Sequence, residues 1–250
     1  MAVNPANYER HVTVKLEREV PLTAKSRSAP VQASREAAAG RRRDSIFMAL
    51  HDCIIDQGYA KTSLADVART AGMSPSHLLY YFPGKDAILA QYFAHVTNRI
   101  INRLESFRTE TPDRQIHMLA TLFFSGRGIS KTEVGFMLEC FGVAVHDPEL
   151  RRQKTELDRY CKAYLQELFE QSPCGPAKAA ESAEVAYALL VGLRTAAYFD
   201  ERLGPQRALE IFRGEMLSIA NSKRSVTRRA RAKTGNGGAG KNGRPAATRL

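Results

Sequence analysis

Apolar residues recur along this chain at helical spacing over most of its length. Ile46, Phe47, Leu50 and Ile54 form one face of a first helix over about 44–57, stopped by Gly58. Leu64, Val67, Ala68 and Ala71 fall at i, i+3, i+4 and i+7, and Leu78, Leu79 and Phe82 give the inner side of a short helix after them. Ile88, Leu89, Tyr92, Phe93, Val96 and Ile100 mark a long fourth helix over about 85–107. Further stripes follow in Ile116, Leu119, Leu122 and Phe123, then in Phe136, Met137, Cys140 and Phe141, then along a long helix to about residue 171. Two last helices, near 177–200 and 205–221, hold Val185, Leu189, Val191, Leu193, Ala196 and Ala197, then Leu209, Phe212, Met216 and Leu217. That pair is too apolar for one protein surface. The count is nine helices. Period-two alternation is confined to Val12, Val14 and Leu16, and one strand alone is not stable. The expected fold class is all-α.

The punctuation between the second and third stripes is the most informative local chemistry. Ser63 precedes the stripe and Asp66 follows three residues later, a capping box in which hydroxyl and carboxylate each satisfy a backbone N–H. Gly72 ends that helix, because a residue without Cβ takes the left-handed backbone freely. Ser74 then caps a second helix with Pro75 at its first position. Two short helices joined by a tight glycine turn make a helix-turn-helix, which places its second helix in the DNA major groove. Asp147 reads as another helix cap, and Pro112 and Pro176 as breaks or helix starts.

The ordered set Gly58-Tyr59, Thr62-Ser63, Ala68, Ala71-Gly72-Met73-Ser74, Tyr81-Phe82-Pro83-Gly84-Lys85-Asp86 and Ile88-Leu89 resembles the DNA-binding head of the tetracycline-repressor (TetR) family. The resemblance covers about residues 41–100. It implies an N-terminal three-helix head plus a C-terminal helical domain for ligand binding and dimerisation. It also implies that Lys85 meets a phosphate, that an inducer cavity lies among the middle helices, and that the last two helices form a four-helix dimer interface. The family often carries Tyr where this chain has Leu79; here the aromatics are Tyr80 and Tyr81. The organisation expected is a flexible extension over 1–39, the head over 40–100 with its motif over 63–82, a helical body over 101–221, and a disordered basic tail over 222–250.

Direction on the helices selects the candidate DNA-binding residues. Ser76, His77 and Tyr80 face outward on the second helix of the motif, with Pro75 and Tyr81 near phosphates or bases and Ser63 and Ser74 at the caps. His77 can donate to guanine or to a phosphate. Tyr81 either reaches DNA or packs against the first helix. Arg41, Arg42 and Arg43 are either a solvated basic run or an arm reaching phosphates or a minor groove. For the cavity, Phe123, Phe136, Met137, Cys140, Phe141 and Tyr164 are the candidates, with the alternative that each belongs to a packed core.

Charge modifies this picture. The chain carries +11 formally, but residues 222–250 hold +9 and residues 1–43 hold +5, leaving −3 for residues 44–221. The head itself, residues 44–92, is −2. The basic excess therefore belongs to the tails and suits non-specific attraction to DNA. Four scattered cysteines without a CxxC pair, and no secretory signal or membrane-length apolar run, point to a reduced, cytoplasmic protein, on the nucleoid when DNA is bound. Gly235 to Asn242 approaches a phosphate-binding loop but lacks the Ser or Thr, the strand and the helix that such a loop needs. No hydrolase or metalloprotease motif is present, and His51 and Cys53, two apart, point to different sides of a helix. Neither enzyme activity, cofactor nor metal is expected. The reading is a homodimeric repressor on a palindromic operator, released by an unknown small-molecule inducer. The alternative is a DNA-binding module without inducer, whose occupancy partners or the tails set.

Overall fold

The computed structural model describes residues 29–222. Among them are nine α-helices and no strand: α1 Ala29–Gln57, α2 Leu64–Thr70, α3 Pro75–Tyr81, α4 Lys85–Phe107, α5 Pro112–Phe124, α6 Lys131–Ala144, α7 Pro148–Glu170, α8 Pro176–Phe199 and α9 Pro205–Ala220. The alternating stretch at 12–16 and the basic tail from residue 223 lie outside the described residues.

Helix α1 starts at Ala29, well before the expected position near residue 44. Periodicity could not reveal this. Residues 37–45 are all exposed, and a helix with no buried face has no apolar stripe. Alanine and arginine in this stretch favour helix intrinsically. The triplet Arg41–Arg42–Arg43 therefore lies within α1, its side chains about 100° apart around the axis, rather than on an extended arm ahead of it.

The head is built by α1, α2, α3 and the first turns of α4 around Ile46, Leu50, Ile54, Val67, Ala68, Leu78, Phe82 and Ile88, all 2 % exposed or less. Both predicted caps form. Ser63 Oγ accepts from Asp66 N–H while Asp66 accepts from Ser63 N–H, and Ser74 Oγ accepts from His77 N–H. Gly72 has φ +66°, the left-handed turn between the two helices. Leu79 departs from the inward role expected of it: it is 49 % exposed, because one residue beyond buried Leu78 is about 100° further around α3.

Helix α4 joins head to body. Ile88, Leu89 and Tyr92 pack in the head, and Ile100, Ile101, Leu104 and Phe107 pack in the body. Arg99 pairs with Glu133 on α6, and Arg108 with Glu167 on α7. Helices α7 and α8 form a long pair, and α9 lies on α5, where Phe212 meets Phe124 at 5.2 Å. That placement buries Leu209, Phe212 and Met216 within the chain. The apolar surplus seen in the sequence is thereby concentrated on the outer side of α8. Val185 is 53 % and Phe199 72 % exposed, and Ala188, Gly192 and Ala196 lie exposed between them.

Candidate DNA-binding face and effector cavity

The outer side of α3 carries Pro75, Ser76, His77, Leu79 and Tyr80, all exposed, with Tyr80 the most prominent at 82 %. Tyr81 takes an intermediate position. It is half-buried against the core while its ring meets His77 at 5.5 Å and Tyr80 edge-on at 5.2 Å. Ser63 and Ser74 differ in what they have left. Both the N–H and the O–H of Ser63 go to the Asp66 carboxylate, so it keeps no free donor for a phosphate. Ser74 uses Oγ only as an acceptor, so its O–H remains available. Asp66 is held down at about 2 by the Ser63 hydroxyl and N–H, then by Arg69.

Lys85 is the knot of the head. Its ammonium donates to the carbonyls of Tyr59 at 3.0 Å and Thr62 at 2.7 Å and lies 4.2 Å over the Tyr59 ring. Two of its three donors thus stitch the α1–α2 loop to the start of α4, and one remains. Tyr59 in turn donates its hydroxyl to Asp86, and its backbone N–H donates to Glu139 of α6 at 3.0 Å. The same loop is therefore tied to the body. Nothing in the sequence pattern links Glu139 to Tyr59, because four helices lie between them in the chain.

His51, Tyr92 and Phe136 meet where α1, α4 and α6 come together, with Tyr92 and Phe136 rings 4.5 Å apart. The Tyr92 hydroxyl, kept protonated by burial, shares a hydrogen bond with His51 Nδ1 at 3.2 Å. Burial lowers the His51 pKa below 6.5, against the opposing pull of Asp52 and Glu133. A histidine depressed in the folded state is protonated first in the unfolded chain, so stability falls as pH drops through about 6.5. Urea unfolding between pH 7.5 and 5.5 should show this loss, at most about 1.4 kcal/mol per pH unit. His51→Phe should flatten the dependence.

In the body, a cavity of about 50 Å³ opens among α4, α5, α6, α7 and α8, lined by Ile100, Phe123, Val134, Met137, Phe141, Leu157, Cys161, Tyr187, Leu190 and Arg194 among others. A second, of about 90 Å³, adjoins it and shares Phe123, Val134 and Arg194. Three sequence candidates, Phe123, Met137 and Phe141, line the first cavity. Phe136, Cys140 and Tyr164 do not line either cavity. Phe136 faces the head, Cys140 is fully buried, and Tyr164 donates to Gln115 Oε1 at 2.7 Å. The lining side chain that the sequence reading missed is Arg194. Its Nε and Nη2 are buried without a hydrogen-bond partner, and its guanidinium lies 5.3 Å over the Phe123 ring. A signal existed: Arg194 is the sole charged residue between Val185 and Phe199. Among the described residues the four cysteines are free, no cluster of His, Cys, Asp or Glu could hold a metal, and no helix is long and apolar enough to cross a membrane.

A capped helix-turn-helix head joined by one helix to a helical body is the architecture of a DNA-binding transcriptional regulator. Residues 46–92 match the family model described as bacterial regulatory proteins, tetR family, and residues 112–219 match that of the BetI-type transcriptional repressor, C-terminal. The chain belongs to the TetR family. It is 26 % identical over 153 residues to the HTH-type transcriptional regulator BetI 1 of Chromohalobacter salexigens, across 60 % of this chain and 75 % of that one. The fold is shared with a transcriptional regulator from Rhodococcus sp. Rha1, at TM-score 0.63 and 21 % identity over 72 % of this chain and 97 % of the other. It is also shared with a transcriptional regulator from Saccharomonospora viridis solved in complex with choline, at TM-score 0.60 and 19 % identity over 72 % and 95 %. Its relatives are regulators of transcription, and the chain is a regulator rather than an enzyme.

Proposed function

We propose that this chain is a cytoplasmic homodimeric repressor that grips a palindromic operator and lets go when a small molecule fills the body. The observation that carries the reading is the outer face of α3. Ser76, His77, Leu79 and Tyr80 stand free on a helix fixed from behind by buried Leu78 and Phe82. In a dimer, two such helices would enter successive major grooves about 34–36 Å apart. Ser74 O–H and the remaining Lys85 donor then stand for phosphates, and the α1 arginines add contacts from the flank. The outer side of α8 supports dimerisation, since Val185, Gly192, Ala196 and Phe199 offer an apolar stripe with small residues for close helix packing.

Release follows from α6. Val134, Met137 and Phe141 on this helix line the cavity, while Glu139 holds Tyr59 in the head. A ligand that widens the cavity displaces α6 and, through Tyr59 and Lys85, the head. A coupling of about 1–3 kcal/mol suffices.

The test is selection of genomic fragments by the purified protein at about 0.15 M salt, where weak phosphate attraction is screened. An enriched inverted repeat supports the reading. Binding that is equal on all sequences and vanishes with salt removes it, and leaves the basic tails as the source of affinity. On the selected operator, His77→Ala or Tyr80→Ala should cost about 1–3 kcal/mol, concentrated at one base-pair position of each half-site. A uniform loss across random DNA would show that the side chain reads no base.

A further inference from the structure

We propose that the effector is a small apolar anion, a monocarboxylate, held by the Nε–Nη2 edge of Arg194 on the wall shared by the two body cavities. The proposal rests on the reading of the body as an effector domain and names the ligand class that this body takes.

Three observations lead to it. First, Arg194 is a cation without a counter-ion among the described residues. Its Nε and Nη2 are out of solvent and unpartnered. These two N–H groups lie parallel on one edge of a guanidinium, the fork that takes both oxygens of a carboxylate. Desolvation draws its pKa down to about 10, so it stays charged at neutral pH. Burying such donors unpaired is unfavourable, and a buried charge is normally paired.

Second, among the described residues no acid stands ready to neutralise it. Neither cavity is lined by a carboxylate, and the second adds another cation, Lys131. The nearby acids are already engaged: Asp158 with Lys154 and the Tyr187 hydroxyl, Glu133 with Arg99, Glu184 with Lys162. A larger groove of about 530 Å³ shares Ile100 with the first cavity and Ile129 with the second. It carries Arg103 and Arg127 over an apolar floor and again no carboxylate, so an approaching anion meets one sign throughout.

Third, four of the five aromatic rings that line the two cavities already meet cations, and the fifth, Phe124, packs on Phe212. Arg194 lies over Phe123, Lys154 over Phe141 at 4.7 Å, Lys162 over Tyr187 at 5.5 Å and Lys131 over Tyr198 at 5.8 Å. A choline-like ligand would find these cations in place of open rings. This chain's body therefore differs in ligand charge from the choline-bound relative, whose fold it shares. The two cavities, about 50 and about 90 Å³, set the size at a few carbons or one ring.

The experiment is calorimetric titration and thermal melting of the full chain with potassium butanoate, hexanoate and benzoate, against choline chloride and ionic-strength-matched potassium chloride. Operator binding is measured in parallel. At least one carboxylate should bind and raise the Tm of the wild-type protein. Arg194→Met should weaken it about 10- to 100-fold, with Arg194→Lys between the two. Without ligand, Arg194→Met should melt no lower than wild type, because it removes an uncompensated charge; a purely structural arginine would give a lower Tm. If Arg194→Met does not fold, Arg194→Lys and Arg194→Gln carry the comparison.

Binding of choline that Arg194 variants leave unchanged overturns the proposal. So does carboxylate binding of equal strength in wild type and variants, or no binding by any of the carboxylates. The wider reading has its own result. Carboxylate binding through Arg194 that leaves the operator bound keeps this proposal and removes the effector function. Operator release by choline alone does the reverse.

Discussion

Phe82→Ala should melt the DNA-binding head while the body stays folded. Phe82 has no exposed surface, closes α3 against α1, and meets the Phe47 ring at 5.7 Å. Removing a buried phenyl group costs about 3–5 kcal/mol through lost transfer energy and the cavity left behind. A three-helix head has no second core to absorb that loss, and a small domain is stable by only about 5–15 kcal/mol in total. Hydrogen exchange should therefore show amides of residues 44–92 losing protection, with those of residues 112–219 little changed. Operator binding should disappear in the same variant. Equal loss of protection in head and body would mean that α4 makes the two halves one cooperative unit.

Lys85→Met carries the second large effect. It removes two hydrogen bonds from a charged donor and the contact over the Tyr59 ring. Hydrogen bonds to charged groups contribute about 1.5–3 kcal/mol each, and the partial exposure of Lys85 favours the lower end, so about 3 kcal/mol in all. Denaturant unfolding followed in the head checks this figure. DNA affinity should fall on every sequence alike, because the contact that is lost reads no base. The slope of log affinity against log salt should also become shallower by about 0.9 for each head, through the third donor. An unchanged slope would assign all of the effect to the loosened loop at 58–62.

Much of the head was legible because its determinants are local. Ser63 with Asp66, Gly72, and Ser74 with Pro75 each act within four residues, and all three form as the spacing predicts. The start of α1 was not legible, since an exposed helix writes no apolar stripe into the sequence. Spacing alone puts Leu79 beside Leu78 on the inner side, because a seven-residue helix has too few turns for periodicity to separate adjacent leucines. The cavity was legible only in part. Phe123 and Phe136 look alike as helical apolar positions, yet one faces the cavity and the other faces His51 and Tyr92. That choice is made by which helix packs where, not by spacing. Arg194 stands alone among apolar neighbours, and a single charge in such a run is the kind of residue that burial makes informative.

Helix α6 is held closely on both sides. At Gly135 it approaches α8 so tightly that an added Cβ would lie 2.6 Å from the Tyr198 hydroxyl, and at Glu139 it grips the head through Tyr59. The residues that face the cavity, Val134, Met137 and Phe141, are different ones. On the proposed function, recognition and readout thus sit on separate positions of one short rod. Substitutions at the first set can retune which molecule is sensed without rewriting the motion that reports it. A lineage built on this plan can diversify its chemistry while keeping its output wiring, and the same separation makes α6 the natural place to graft a new sensor onto an unchanged DNA-binding head.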